Sequence, residues 1–418
     1  MKLIISFLYA IGMPFYSFIL SIVAMFGHKK AKLLVNGRKE TWKKLAKYDN
    51  SSSCVWVHAA SLGEFEQGRP IIEAIRAKYP KKKIVLSFYS PSGYEVRKNY
   101  KEADLVCYLP ADSASNAKRF INAINPEIAF FVKYEFWHHY INEISRRGIA
   151  LYGVSVILRE AQPFFQSWGE WFRDMLHKYT RLYVQDAESA NLLKSIGIAE
   201  DKYVVAGDTR FDRVSQIAAN APDVDIVARF VKNASKVIVM GSAWPPDDEV
   251  LFPYINEAPK DIKLIVAPHE IHSERIKGLV SRLKVKYSLF TEPAADIEDC
   301  QVLVVNTIGL LSTIYKYGQI GYIGGGFGVG IHNTLEAATY SMPVLFGPNY
   351  KRFKEAVDLI SCGGGFCISS KESVKEKLDL WLNNAEELSI AGKKAGEYVA
   401  SMCGATEKIM KEVEAKFA

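Results

Sequence analysis

Two stretches of this chain carry residues whose types and spacing could do chemistry. The first is Val55-Trp-Val-His-Ala-Ala-Ser-Leu-Gly-Glu64. An apolar run over 54–57 reads as a buried parallel strand. The small residues Ala59, Ala60, Ser61 and Gly63 follow as a turn, and Ile71, Ile72 and Ile75 recur with helical spacing. Strand, turn and helix put His58, Ser61 and Glu64 at the carboxyl end of a strand, where open α/β sheets bind ligands. A carboxylate held there can act as a general base. Ser61-x-x-Glu64 equally fits a capping box, which only satisfies amide donors at a helix start.

The second stretch is Gly321-Tyr-Ile-Gly-Gly-Gly-Phe-Gly-Val-Gly-Ile-His-Asn-Thr-Leu-Glu-Ala-Ala338. A strand ends in a glycine run, and a helix is predicted to start near Asn333. Glycines let backbone approach a ligand closely, and helix amides can receive a phosphate. His332 and Asn333 would stand at the helix start. Glu336 would lie one turn further in, where it could bond ribose hydroxyls. The same residues also suit a turn capped by Asn333, with Glu336 solvated. The run lies far from the first strand, unlike a dinucleotide fingerprint. Asp223-Val-Asp225 sits beside Pro222 and reads as a helix cap rather than a metal site. His138 and His139 are helical neighbours that point apart. No metal and no cofactor are expected.

The elements that must position these residues alternate along the chain. Strands are predicted at 54–57, 83–88, 105–109, 127–132, 150–155, 181–185 and 202–206, with helical patterns between most of them. A polar stretch from Asp212 to Val231 contains Ala221-Pro222, a plausible linker. A second series follows at 236–240, 262–266, 302–305, 319–323 and 343–346. Such alternation argues for parallel sheets covered on both faces. With 418 residues, two domains are the default, because one core rarely grows past about 300 residues. The expected architecture is two Rossmann-like, doubly wound domains facing a cleft. Glycosyltransferases of the GT-B fold, some epimerases and phosphorylases share it, and periodicity does not choose among them.

Composition is that of a globular protein, with 49% hydrophobic and 24% charged residues. The six cysteines show no zinc spacing and fit reduced, buried thiols. The net charge of +7 is concentrated. Between His28 and Asn50, eight Lys/Arg stand against Glu40 and Asp49. A nucleic-acid binder would spread its basic residues over a folded face, so no nucleic-acid partner is expected. Leu3 to Gly27 carries no charge and is long enough to cross a bilayer. No A-x-A site precedes the basic block, which argues against a cleaved signal peptide. A membrane anchor over 1–27, spanning the bilayer or lying in its plane, is expected, then a basic juxtamembrane segment over 28–50 that places the rest of the chain in the cytoplasm. The domains are assigned as 51–220 and 221–400, with a C-terminal helix over 401–418.

Read in order, these motifs resemble a known family, the 3-deoxy-D-manno-octulosonic acid (Kdo) transferases of lipopolysaccharide synthesis. His58-Ala-Ala-Ser-Leu-Gly-Glu64 is close to that family's signature. Lys133-Tyr-Glu-Phe-Trp137 resembles its acidic-aromatic E-L-W element, and Gly207-Asp-Thr-Arg-Phe-Asp212 its G-N-x-K-F-D element. Gly241-Ser242, Pro268-His269 with Glu274-Arg275, the Gly-Gly…His-Asn-x-x-Glu run and Phe346-Gly-Pro348 complete the set. The likeness extends from residue 1 to about 360. Val154-Ser-Val-Ile-Leu-Arg159 stands where the family has N-A-R-L-S, and Asn306-Thr-Ile-Gly-Leu310 lacks both acids of D-T-x-G-E. Pro268-His-Glu-Ile-His272 replaces R-H-P, and Gly241-Ser-Ala-Trp-Pro245 a G-S-T-H turn. These departures mark a divergent branch.

The resemblance implies an inverting transferase that moves Kdo from CMP-Kdo to the lipid A precursor on the inner face of the inner membrane. It implies the acceptor on the N-terminal half and the nucleotide on the C-terminal half. Glu64 is the expected base, and Glu135 the carboxylate that positions acceptor or tunes Glu64. Ser61, Lys133 and Arg210 are expected to meet acceptor or phosphate. Ser242, His269, Gly325, Gly326, His332, Asn333 and Glu336 are the expected nucleotide-sugar residues.

Overall fold

The computed structural model describes residues 2–417; Met1 and Ala418, the outer ends of the predicted anchor and C-terminal segments, lie outside them. The chain divides into two compact units. One runs to Arg213 and takes the chain back from Gly404; the other spans Val214–Cys403. Each is built on a seven-stranded, wholly parallel sheet.

In the first unit the strands are β1 (Cys54–Ala59), β2 (Lys83–Phe88), β3 (Leu105–Tyr108), β4 (Pro126–Val132), β5 (Ala150–Val156), β6 (Arg181–Val184) and β7 (Tyr203–Val205), in the order β3-β2-β1-β4-β5-β6-β7. The chain winds outward from β1 to β3, then returns to lay β4 against β1. That reversal opens a crevice beyond the carboxyl ends of β1 and β4. Strand β1 is buried along its whole length, as an apolar strand covered on both faces must be. Alternation sends Val55 and Val57 to one face. Trp56 goes to the other, among Phe120, Phe131 and Tyr140, and His58 follows it there.

Three helices flank this crevice in sequence: α1 (Lys2–Met25) and α2 (Lys29–Lys47) before β1, and α3 (Leu62–Lys78) directly after it. Over Ile4–Met25, α1 is long and apolar enough to cross a membrane. The C-terminal helix Ala405–Phe417 joins the first unit. Asp212 holds its start, accepting from the amides of Gly404 and Thr406 at 2.6 Å each and from the Thr406 hydroxyl at 2.7 Å.

The second unit carries β8 (Lys236–Ala243), β9 (Ile262–Pro268), β10 (Tyr287–Leu289), β11 (Val302–Val304), β12 (Ile320–Ile323), β13 (Val344–Phe346) and β14 (Gly365–Cys367). Their order is β10-β11-β9-β8-β12-β13-β14, so β8 and β12 flank its reversal. The edge strands β10 and β14 have three residues each and fall outside the predicted series. Asp223, expected to cap a helix, instead pairs with Lys316 at 2.7 Å, and Val224 is the N-cap residue of the helix Asp225–Val231.

Candidate functional site

At the reversal of the first sheet, β1 leads into α3 and delivers Glu64 in its first turn, half-buried. Ser61 is the N-cap residue, yet its side chain caps no amide. Its hydroxyl donates to the Glu64 carboxylate instead. The capping box allowed by the sequence is therefore not formed.

Strand β4, beside β1, ends in Lys133-Tyr-Glu135. Lys133 has φ 69°, in the left-handed region, and its amide donates to Val154 O at 2.9 Å. A non-glycine residue held there carries strain that clusters at functional sites. The turn directs Glu135 inward, only 8% exposed. Its Oε2 lies 2.9 Å from His58 Nε2 and accepts from Trp137 Nε1 at 2.7 Å. His58 is wholly buried. Its Nδ1 lies 2.9 Å from Ser87 Oγ and 3.1 Å from Ser87 O. Trp56 Nε1 donates to the same Ser87 Oγ at 2.8 Å. With His58 carrying its proton on Nε2, a continuous chain results: Trp56 N–H to Ser87, Ser87 O–H to His58, His58 N–H to Glu135. Each buried polar group of this run then has a partner, the condition under which a buried polar network fixes one geometry.

Trp137 also stacks on Tyr89, with centroids 4.9 Å apart and planes at 22°. Arg38 lies over the same Tyr89 ring. The Tyr89 hydroxyl donates to Tyr16 on α1 at 3.3 Å.

Arg210 is bound to buried Asp208 through its Nε and Nη2, both at 2.9 Å. Gln67 donates to that carboxylate as well, at 2.9 Å. The guanidinium already has a carboxylate partner, unlike a cation kept open for phosphate. Lys133 Nζ lies over the Tyr134 ring.

In the second unit, Ser242 sits in a bulge of β8 with φ 53°. Beyond it Trp244 stacks on His269 at 4.5 Å and 19°, and His269 on His332 at 4.5 Å and 29°. Trp244 Nε1 donates to His332 Nε2 at 3.1 Å. Burial, with His269 alongside, lowers the pKa of His332, which favours the neutral acceptor in this bond. Trp244, His269, His272 and Arg275 are among the residues lining a cavity of about 290 Å³. Under it, buried Asp247 accepts from the amides of Gly325 at 2.8 Å and Trp244 at 2.9 Å, and from the Tyr322 hydroxyl at 3.1 Å. Arg275 forks onto buried Asp248 at 2.6 and 3.0 Å.

The glycine run serves this packing. Gly325 has φ +91°, and a Cβ there would come 2.4 Å from Gly330 O. A Cβ on Gly326 would strike Gly347 at 2.5 Å. The Gly325 amide is already committed to Asp247, so it is not free for a phosphate. The predicted helix at Asn333 is only the four-residue turn Leu335–Ala338. Asn333 Oδ1 accepts from the Leu335 amide at 3.1 Å, and its Nδ2 donates to Glu336 at 3.0 Å.

The structure thus brings Ser61 to Glu64, and His269 to His332, and Asn333 to Glu336. His58, placed at this edge by the sequence but given no role, joins them, as do three residues absent from the predicted site: Ser87, Trp137 and Trp244. A histidine ending the run Cys-Val-Trp-Val was a visible signal, since a polar group at a buried strand position needs a partner.

Residues 35–213 match the family model of 3-deoxy-D-manno-octulosonic-acid (Kdo) transferases. The chain is 24% identical over 339 residues to the 3-deoxy-D-manno-octulosonic acid transferase of Chlamydophila psittaci, covering 79% of this chain and 78% of that protein. It is 26% identical over 350 residues to that of Rickettsia bellii, covering 80% and 81%. Among solved structures, the UDP-GlcNAc 2-epimerase of Neisseria meningitidis bound to UDP-GlcNAc aligns with TM-score 0.61 at 14% identity, over 87% of this chain and 100% of that one. A UDP-N-acetylglucosamine 2-epimerase of Listeria monocytogenes aligns with TM-score 0.60 at 13%, over 88% and 97%. The epimerases share the fold, a tandem of parallel-sheet α/β domains of GT-B type. Sequence likeness over most of the chain falls elsewhere, on the 3-deoxy-D-manno-octulosonic acid transferases, whose family model the first unit matches.

Proposed function

We propose that the protein transfers Kdo from CMP-Kdo to a tetra-acylated lipid A precursor, with Glu64 as general base, at the inner face of the inner membrane. The observation that carries this reading is the pair of carboxylates at the reversal of the first sheet. Glu64 opens α3 off β1, Glu135 follows the adjacent β4, and each is held by a hydrogen-bond donor of its own. In the proposed step the Glu64 carboxylate takes the acceptor hydroxyl proton. The acceptor oxygen bonds to the anomeric carbon of Kdo, and the bond to CMP breaks with its electron pair on the phosphate. Inversion follows from a single displacement. Glu135, fixed through His58, orients the acceptor. Ser61 and Lys133 are the polar groups beside them, and Arg210 serves through Asp208.

On the donor side, the Trp244–His269 stack offers a flat aromatic face for cytosine, since base stacking needs only a π surface. Ser242, His332, Gly325 and Gly326 shape the wall around it, and Asn333 presents Glu336 to ribose. α1 and the basic residues of α2 supply the membrane contact.

The test is incubation of the purified chain with CMP-Kdo and the tetra-acylated acceptor, followed by mass spectrometry of the lipid. The expected product carries added Kdo, and the spectrum counts the units. The same protein given UDP-GlcNAc is expected to leave it unchanged. Epimerised UDP-GlcNAc with no Kdo-lipid would overturn the reading in favour of the epimerase activity of the fold relatives. Binding of lipid A without turnover would make the chain an inactive member.

A further inference from the structure

The geometry points to α1 lying in the plane of an anionic lipid surface as a monotopic helix, with both of its ends on one side of the bilayer. The inference deepens the membrane contact proposed above and rests on it. Two opposite faces of the helix carry the argument.

The inner face is engaged with protein from Lys2 to Ser21. Lys2 pairs with Glu170 and Asp174 at 3.0 Å. Ile5 and Tyr9 pack on the main core of the first unit. The Tyr9 hydroxyl donates to Asp112 at 2.5 Å. Asp112 in turn accepts from the amides of His139 and Tyr140, at the start of the helix that follows Trp137. Tyr16 meets Tyr89, and Ser17, Leu20 and Ser21 face Arg38 and Trp42 across a cavity of about 200 Å³.

The outer face is a single apolar stripe. Phe7, Ile11, Phe15, Phe18 and Ile22 are 64%, 54%, 61%, 61% and 37% exposed. Their spacing of four, four, three and four residues keeps them on one side of the helix, and Phe26, just past its end, is exposed as well. The helix has 24 residues, about 36 Å at 1.5 Å per residue. A soluble surface does not normally leave so long a stripe uncovered. A helix crossing the bilayer needs apolar groups on every side. Set upright, this one would carry Asp112, Glu170, Asp174 and Arg38 into hydrocarbon beside it, where charged groups are excluded. Lying flat, it sinks the stripe into the acyl boundary and leaves its inner face on protein, the disposition of an interfacial helix. The partner's charge follows from the next segment. Lys29, Lys30, Lys32, Lys39, Lys43 and Lys47 of α2 are exposed, and such a cluster attracts anionic headgroups.

The test uses the full-length chain with Lys2→Cys or Lys30→Cys, expressed in a Gram-negative host. A membrane-impermeant maleimide is applied to intact spheroplasts and to inverted inner-membrane vesicles. Peptide-resolved mass spectrometry separates the new thiols from the native cysteines. Both positions are expected to be labelled in inverted vesicles and neither in spheroplasts. Labelling of Lys2→Cys from the side opposite to Lys30→Cys, or from neither side, would overturn the in-plane seating. Flotation with vesicles of phosphatidylcholine containing phosphatidylglycerol tests the lipid. Binding is expected to fall at least tenfold on phosphatidylcholine alone, and undiminished binding would overturn the choice of an anionic surface. Neither readout needs turnover, so loss of the topology and loss of the transferase reading are separate results.

Discussion

In the first unit the candidate groups for proton transfer are held by side chains arriving from neighbouring strands: Ser87 from β2, His58 from β1, and Glu135 from just beyond β4. In the second unit the candidate groups hold one another. Trp244, His269 and His332 form a stack, Asn333 binds Glu336, and the glycines pack backbone on backbone. A buried polar chain tolerates few geometries, because any unpaired member costs its desolvation. A stack of rings can slide and still bury its faces. The first arrangement suits a carboxylate that must meet one hydroxyl. The second suits a surface that receives a flat base.

Substitutions sharpen that contrast, and the largest effect is expected at Glu64. Glu64→Gln keeps shape but accepts no proton, so turnover at saturating substrates should drop by about 10²–10⁴-fold with the melting temperature unchanged. A folded variant retaining more than about a tenth of the activity would pass the role of base to Glu135.

His58→Ala removes one of the two donors, with Trp137, that fix Glu135. A hydrogen bond to a charged group is worth about 1.5–3 kcal/mol, so kcat should fall roughly 10- to 150-fold. His58→Gln, which retains a donor, should recover part of it. Equal losses in both variants would reduce His58 to a core residue.

On the donor side, Glu336→Ala should weaken CMP binding by about 1.5–3 kcal/mol if a charge-assisted bond to ribose is lost. Unchanged affinity by calorimetry would leave Glu336 only as the partner of Asn333. Trp244→Ala should raise the CMP dissociation constant by about tenfold, and Trp244→Phe by less, because stacking is worth about 1–3 kcal/mol per base and needs only a ring.

The smallest effect is one of pH. Burial, then His139 and Lys178, push the His138 pKa down to about 4. Folded His138 is neutral where the unfolded residue, near 6.5, already binds a proton. Its contribution to stability is thus complete above about 6.5 and declines as pH falls toward about 4. His138→Gln should flatten the acid side of the melting-temperature profile over that window; an unaltered profile would assign the acid loss to other groups.

How far these regions could be read in advance obeys the same division. Parallel strands announce themselves as apolar runs, most clearly where they are buried, so β1 to β9 and β11 to β13 stand where the alternation put them. Tyr287–Leu289 and Gly365–Cys367 are edges whose partly exposed residues mix with lysine and glycine, which interrupts the apolar run. Glu64 was legible because strand, turn and carboxylate are contiguous. The His58–Glu135 bond joins residues 77 apart and depends on β4 returning to β1, which a list of strands does not specify. Trp244 was visible in the turn Gly241–Pro245, but its ring partners come from the segments after two other strands, His269 directly after β9 and His332 from the loop beyond β12. The composition of α1 marked it as apolar without showing that one side is occupied by Tyr9–Asp112 and Tyr16–Tyr89 contacts.

The run of contacts from Tyr16 through Tyr89 and Trp137 to Glu135 has a thermodynamic corollary. If lipid contact through this run changes the affinity of the proposed site for acceptor, linkage makes the exchange reciprocal, and acceptor would change the affinity for lipid by the same factor.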